Sequence, residues 1–306
     1  MDAVSEVILA LDIGGTKALG GLVGLDGTIL STREFPTGGT PGQIDPGLTV
    51  VQRLAETLLD DISRTSDVRL TAVGAGFPEY VGGGLLHSRE VLDWTDQPAD
   101  LLRNLVPAET PITIESDVRC GALAEAHFGA GRGKNLVVYV SWGTGISWTL
   151  VQHGIALAGR RGEAIGFGEL AVSARVSTDW TGNLEQFASG KGIANRYSAL
   201  TGAQVTETRN VIDQATEGDR VAASVLDTAA EAIGEALSSV VSLVDPDLVI
   251  LGGGIGVSNS SLRRTAGLHF ANAVSAHPDS PRLVNGELGT RAGLLGAAVA
   301  TGRTSP

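Results

Sequence analysis

Every residue from Val7 to Leu11 is apolar, a run bounded by charge and too short for a core helix, which predicts a buried strand. Asp12 to Thr16 reads as a glycine turn, Ala18 to Leu25 as a second strand, and Asp26-Gly27 as the turn into a third. Between Gly47 and Ser66 the residues Val50, Val51, Leu54, Leu58, Leu59 and Ile62 recur at helical spacing, and Leu70 to Gly76 returns to strand. The opening pattern then comes back roughly 130 residues later. Leu136 to Val140 is a strand, Gly143-Thr144-Gly145 a turn and Ile146 to Val151 the returning strand. A long helical pattern from Arg220 to Val244 stops at Asp245-Pro246, and the strand Leu248 to Leu251 feeds a third glycine turn, Gly252 to Gly256. Sheet and helix alternate in two rounds, so the expected architecture is two similar α/β lobes with a ligand cleft between them. Residues 1–117 form the expected N-terminal lobe, joined by a C-terminal helix over 290–306, and 118–289 form the second.

The chain has 306 residues, above the ~150-residue prior for one domain, so a full core is available to each lobe. Lys plus Arg is 22 against 34 for Asp plus Glu, a net charge of −12 that repels nucleic-acid phosphates and anionic lipid. No nucleic-acid or membrane partner is therefore expected. The single cysteine, Cys120, allows neither an internal disulfide nor a cysteine-rich zinc site, which fits a reducing cytoplasm. The first residues carry acids where a secretory leader carries bases, and no window approaches the ~18 apolar residues of a spanning helix. The 42 glycines lie in short clusters between apolar runs, which implies tight turns rather than a low-complexity tract.

Three of those clusters carry candidate chemistry. Asp12-Ile13-Gly14-Gly15-Thr16-Lys17 sets a carboxylate at a strand end before two glycines, a hydroxyl and a cation. Glycines let backbone N–H groups approach phosphate oxygens, Thr16 adds a donor, and Asp12 can hold Mg²⁺ directly or through water. An ordinary hairpin turn has the same residues, as does Gly143-Thr144-Gly145, and Gly252 to Gly256 can equally cap a helix. Three such turns after apolar strands point to a nucleotide. Other signatures fail: Gly129 to Lys134 has Phe128 and Asn135 where a P-loop needs glycine and Ser/Thr. The five histidines have no metal spacing and no G-x-S-x-G elbow is present.

Together these residues resemble the ROK sugar kinases, which share the ribonuclease H-like, actin-like ATPase fold. The likeness rests on Asp12 to Lys17, on Glu115-Ser116-Asp117 followed by Ala122-Leu123-Ala124-Glu125, on Gly143 to Gly145, on Leu184 to Gly190 and on Leu251 to Gly254. The resemblance implies ATP and Mg²⁺ in the interlobe cleft, with Asp12, Gly14, Gly15, Thr16, Lys17, Gly143, Thr144, Gly145, Gly253 and Gly254 on the cofactor side. It also implies phosphoryl transfer to a sugar hydroxyl and commonly a homodimer. Asp117 matches the family's catalytic base, a carboxylate that orients the acceptor hydroxyl and takes its proton. Apart from the family, Asp117 reads as the N-cap of a helix beginning near Val118, and the two roles are compatible. Glu185 matches a sugar ligand, or else is a solvated first-turn charge.

The sugar end departs from the family. Where members carry G-x-x-G-x-A-G-E-x-G-H, this chain reads Gly159 to Glu169, with Gly166 at the glutamate and Glu169 at the histidine. A one-gap shift brings Glu163 into play instead. Ser116 replaces the asparagine before the base and Glu79 the glycine of a Pro-Gly pair, so Ser116, Glu79, Glu169 and Glu185 join Asp117 as substrate-side candidates. The family's zinc segment reads Val176 to Asn183 here, without any of its cysteines or its histidine, so no zinc is expected. Trp180 either packs in that place or lies on a pocket rim. The expected function is an ATP-dependent kinase acting on a hexose, an amino sugar or a sugar-like cyclitol, with a non-catalytic sugar-binding or regulatory member as the alternative. A DNA-binding repressor of the family is disfavoured because only 11 residues precede Asp12.

Overall fold

A computed structural model describes residues 5–37, 48–65, 67–274 and 279–305. The chain forms two compact units, Met1–Gly133 with Gly154–Ile165 and Thr290–Pro306, and Lys134–His153 with Gly166–Gly289.

The first unit is built on β1 (Ser5–Ile13), β2 (Lys17–Gly24), β3 (Ile29–Pro36), α1 (Thr49–Ser63), β4 (Val68–Phe77), the short hairpin β5 (Val81–Gly82) and β6 (Leu85–Leu86), α2 (Pro98–Arg103), β7 (Ile112–Ser116) and α3 (Asp117–Phe128). Its sheet runs β3-β2-β1-β4-β7, with β2 antiparallel to both neighbours and β1, β4 and β7 parallel. The expected helix over Gly47 to Ser66 is α1; both of those end residues lie outside the described residues. α1 buries Val50, Val51, Leu54 and Leu58 on one stripe, and Gly20 lets Leu54 and Leu58 press on β2, since a Cβ there would sit 2.7 Å from Leu58.

The second unit begins with β8 (Leu136–Trp142) and β9 (Ile146–Gln152); the two-residue β10 (Ile155–Ala156) falls in the excursion that belongs to the first unit. There follow α4 (Leu184–Ala188), α5 (Gly190–Thr201), α6 (Thr208–Thr216), α7 (Arg220–Val244), β11 (Leu248–Gly252), α8 (Gly253–Gly256), α9 (Ser261–Val274) and β12 (Arg282–Asn285). β8 is antiparallel to β9 and parallel to β11, which is parallel to β12. The hairpin of the first unit, β1 and β2 with β4 beside β1, is thus repeated as β8 and β9 with β11 beside β8. α7 starts where Asp219 accepts from the N–H groups of Val221 (2.7 Å) and Ala222 (3.1 Å), and ends at Asp245 in the left-handed region before Pro246.

The last helix, α10 (Ala292–Ala300), returns to the first unit and is apolar all round because it is covered on two sides. Gly296 meets the Cys120 backbone of α3, and Gly74 of β4 meets the Ala297 carbonyl; a Cβ at either glycine would overlap these atoms. α3 packs on α10 and so lies in the first unit, which runs on to Gly133, whereas the sequence reading assigns 118–289 to the second lobe. Among the described residues no helix is long and apolar enough to cross a membrane.

Candidate active site

The parallel strands of the first unit end side by side. Register pairs Asp12 with Gly76, Gly76 with Glu115, and Phe77 with Ser116, so the carboxyl ends of β1, β4 and β7 bring Asp12 and Asp117 to one edge of the sheet. That edge is where open α/β sheets hold ligands. Ser116, not Asp117, is the N-cap of α3; Asp117 is its first residue, and its Oδ1 accepts from the Val118 N–H at 2.6 Å. Burial pushes the Asp117 carboxyl up to about 7, with the negative charges of Asp12 and Glu79 acting in the same direction and the Val118 N–H and Arg119 opposing. Asp12 is pushed up to about 6, again by burial, with Lys17 opposing. Its carboxylate lies against Gly293 in the first turn of α10, where any Cβ would overlap it.

The turn after β1 is closed by Gly14 N–H to Lys17 C=O (2.9 Å) and by Thr37, which donates from Oγ1 to the Gly14 carbonyl (2.7 Å). Gly15, Thr16 and Lys17 are exposed at its tip, and the Lys17 ammonium pairs with Glu34 at 2.8 Å. A cavity of about 810 Å³ opens here, lined among others by Asp12, Gly14, Thr16, Lys17, Glu34 and Arg291.

Two substrate-side candidates turn out otherwise than expected. Glu79 is buried, and both its oxygens are taken: Oε1 accepts from the Val91 (2.9 Å) and Leu92 (2.8 Å) N–H groups, Oε2 from the Glu90 N–H (2.9 Å) and the Ser88 hydroxyl. A carboxylate with four donors has no acceptor site left for a sugar hydroxyl. Glu79 instead shapes the 88–92 loop, whose Val91 side chain reaches the Gly15 turn, where a Cβ on Gly15 would lie 2.9 Å from it. Ser116 is fully buried, and its Oγ has no hydrogen-bond partner. Sequence reasoning missed Arg119, which is 1% exposed and bridges to Glu115, Val81 and Gly162. The Glu115-x-x-x-Arg119 spacing at a strand-to-helix corner is the signal that was available.

In the second unit β8 and β11 are neighbours, which places Gly143 beside the third glycine turn: a Cβ on Gly143 would lie 3.4 Å from the Gly254 N. Gly253 has φ +74 and faces the Trp142 carbonyl, while Gly254 borders open space. The Gly143 and Thr144 carbonyls accept from the N–H groups of Gly190 (2.8 Å) and Lys191 (3.1 Å), leaving Thr144 and Gly145 exposed. Glu185 is half-buried, and its Oε2 accepts from the Ile146 N–H at 2.6 Å, so it braces the Gly143–Gly145 turn. Glu169 is exposed and accepts from Asn183 Nδ2 at 3.1 Å. Trp180 packs on Phe187 (5.1 Å between rings), and Arg196 lies over the other aromatic contact at 3.6 Å from the Phe187 centroid. Among the described residues no group of three His, Cys, Asp or Glu side chains is placed to hold a metal.

The ROK family model matches residues 8–303. Glucokinase of Thermotoga maritima is 29% identical over 266 residues, covering 81% of this chain and 82% of that protein. N-acetylmannosamine kinase of Shigella flexneri is 29% identical over 306 residues, covering 95% and 97%. A crystal structure of a ROK family glucokinase from Streptomyces griseus in complex with glucose and AMPPNP superposes with a TM-score of 0.73 at 27% identity, covering 95% of this chain and 98% of that one.

Proposed function

The chain belongs to the ROK family, a family whose similar members are sugar kinases of actin-like ATPase fold, and from that premise we propose that it transfers the γ-phosphate of ATP to a hydroxyl of a hexose, an amino sugar or a sugar-like cyclitol. The observation that carries the reading is Asp117, held at the carboxyl edge of three parallel strands with its proton affinity raised to about 7. A base whose affinity lies near the working pH combines the ionised form with a useful driving force for taking a proton. Asp117 orients the acceptor hydroxyl and receives its proton as the oxygen attacks the γ-phosphorus and the bond to the ADP oxygen breaks, and the exposed turn tip at Gly15–Lys17 supplies backbone donors to phosphate oxygens.

Mg²⁺ is consistent with Asp12, because this ion is commonly held by one or two carboxylates together with substrate phosphates rather than by a protein cage. Asp12, whose proton affinity burial raises and Lys17 opposes, gains from a cation at that point. Asp12 would hold the ion, directly or through water, and the ion would supply positive charge against the phosphate groups. Glu185 remains the proposed sugar ligand through the oxygen not committed to Ile146; Glu169 carries a second, more exposed carboxylate. The test is incubation with ATP, Mg²⁺ and a panel of hexoses, amino sugars and cyclitols. ADP and a phosphorylated acceptor are the expected products, and no turnover on any acceptor would refute the assignment.

A further inference from the structure

Arg119 lies in the first turn of α3 and is enclosed, with 1% of its side chain exposed. Its guanidinium spends all three nitrogens on three separate segments of the first unit. Nε donates to Glu115 Oε1 (2.5 Å) at the end of β7, Nη1 to the Gly162 carbonyl (3.1 Å), and Nη2 to the Val81 carbonyl of the β5–β6 hairpin. Glu115 Oε1 also accepts from the Ser116 N–H at 2.8 Å, so the ion pair fixes the two residues on which Asp117 is mounted. Gly162 is seated just as closely: its φ is +79, and a Cβ there would overlap the Val81 carbonyl. Gly82 in turn faces the Arg161 carbonyl, where a Cβ would lie 2.8 Å away. The hairpin and the Gly154–Ile165 excursion therefore meet on the Arg119 head group, beside the corner that carries the proposed base.

Glu115 lies near the end of β7 and Val81 opens the hairpin that packs on β7, two strands from the β1 end that carries the exposed Gly15–Lys17 tip. We infer that Arg119 is a positioning residue for the acceptor: it locks the Val81 hairpin and the Gly162 segment to the Asp117 corner, and acceptor binding depends on that lock while ATP binding does not. The inference rests on the kinase reading. A planar fork serves three acceptors in fixed directions, and a lysine ammonium, a compact point charge on a flexible stem, cannot hold the same geometry. A methionine removes every donor and leaves the Glu115 carboxylate and two buried carbonyls without their partner.

Steady-state kinetics with glucose and N-acetylmannosamine as acceptors, each at varied ATP, test this on the full chain and on Arg119→Met and Arg119→Lys, with thermal melting to confirm folding. Expected for Arg119→Met is an acceptor KM raised about tenfold or more with the ATP KM within about twofold. Arg119→Lys keeps the charge and the Glu115 pair and should fall between, with an acceptor KM raised about three- to tenfold and melting close to the parent's. If Arg119→Met fails to fold, Arg119→Lys alone decides, and an acceptor KM within twofold of the parent overturns the proposal. Equal rises in both KM values, or a loss confined to kcat, also overturn it. A parent protein without phosphotransfer to either acceptor or to the wider panel defeats the kinase reading itself, and the acceptor role with it.

Discussion

Asp117 and Asp12 share one electrostatic shift near neutral pH. Both are buried enough to retain protons well above the usual carboxylate range, to about 7 and about 6, yet the proposed base role needs Asp117 ionised. kcat/KM should accordingly rise with pH through about 7, a limb that a pH–rate profile will locate. Asp117→Asn should fold and lose on the order of 10²–10⁴-fold in kcat, because the amide keeps the shape but cannot accept the proton; retention of half the parent rate would remove Asp117 from the role of base. The stability sign is the reverse of the catalytic one. From about pH 4 to about 7 the folded chain binds protons that the unfolded chain has released, so stability falls as pH climbs through that window. At pH 8 Asp117→Asn should therefore melt above the parent, on the order of 2 °C or more. Glu79→Gln makes a separate claim: a neutral amide cannot serve four donors, which costs about 1–3 kcal/mol of stability. Removing that charge also lowers the proton affinity of Asp117, so the acid limb moves to lower pH. An unmoved limb would mean that Glu79 does not act on Asp117.

At the scale of elements, the segment 176–183 shows how a loop is held without the ligands its family resemblance calls for. Asn183 and Gln186 form a reciprocal capping box on α4, Leu184 donates to the Leu170 carbonyl at 2.7 Å, and Ala171 bridges to Asn183. Trp180 packs edge-on to Phe187, whose other contact is Arg196, buried enough that its affinity for its proton drops to about 10. Arg196 also donates to the Phe187 carbonyl (3.0 Å) and to Thr228 (2.8 Å), which ties the loop to α7. Trp180→Ala should cost about 1–3 kcal/mol, less than a fully buried tryptophan because the ring is part-exposed. A chelator should leave the melting temperature unchanged. Stoichiometric zinc after dialysis, with melting lowered by chelation, would contradict this account.

For the whole molecule, the proposed kinase chemistry and the altered sugar end predict the acceptor. On the resemblance read from the sequence, Asp12, Asp117 and the three glycine turns keep the family's form, whereas Glu169 stands where members carry a histidine. An exposed carboxylate at Glu169 favours a cationic amine, and each missing partner for a hydroxyl costs roughly 1–3 kcal/mol, about 5- to 150-fold in kcat/KM. An amino sugar or a cyclitol should accordingly be preferred to glucose in a side-by-side comparison of kcat/KM. Glucose ahead by tenfold would show that Glu169 does not set specificity.

The alternation of apolar runs and glycine turns determined the two α/β rounds, the hairpin repeat, the extent of α7 and the candidate Asp12, because strand and helix periods and turn chemistry are local properties, whereas Asp117 became a candidate base only through the family resemblance. The strand Leu248 to Leu251 and its glycine turn were equally legible. Tertiary structure alone decided what the buried polar groups do. Nothing in the sequence around Glu79 tells that four donors from residues 88–92 converge on it, nor around Arg119 that carbonyls at 81 and 162 will face it, since both depend on contacts between distant segments. The fate of α3 was undecidable for the same reason: its sequence borders both rounds, and its packing on α10, β4 and β7, with Gly296 close to Cys120, assigns it to the first unit. A buried charge is stable only where partners satisfy it, and packing selects those partners after the local pattern has been spent.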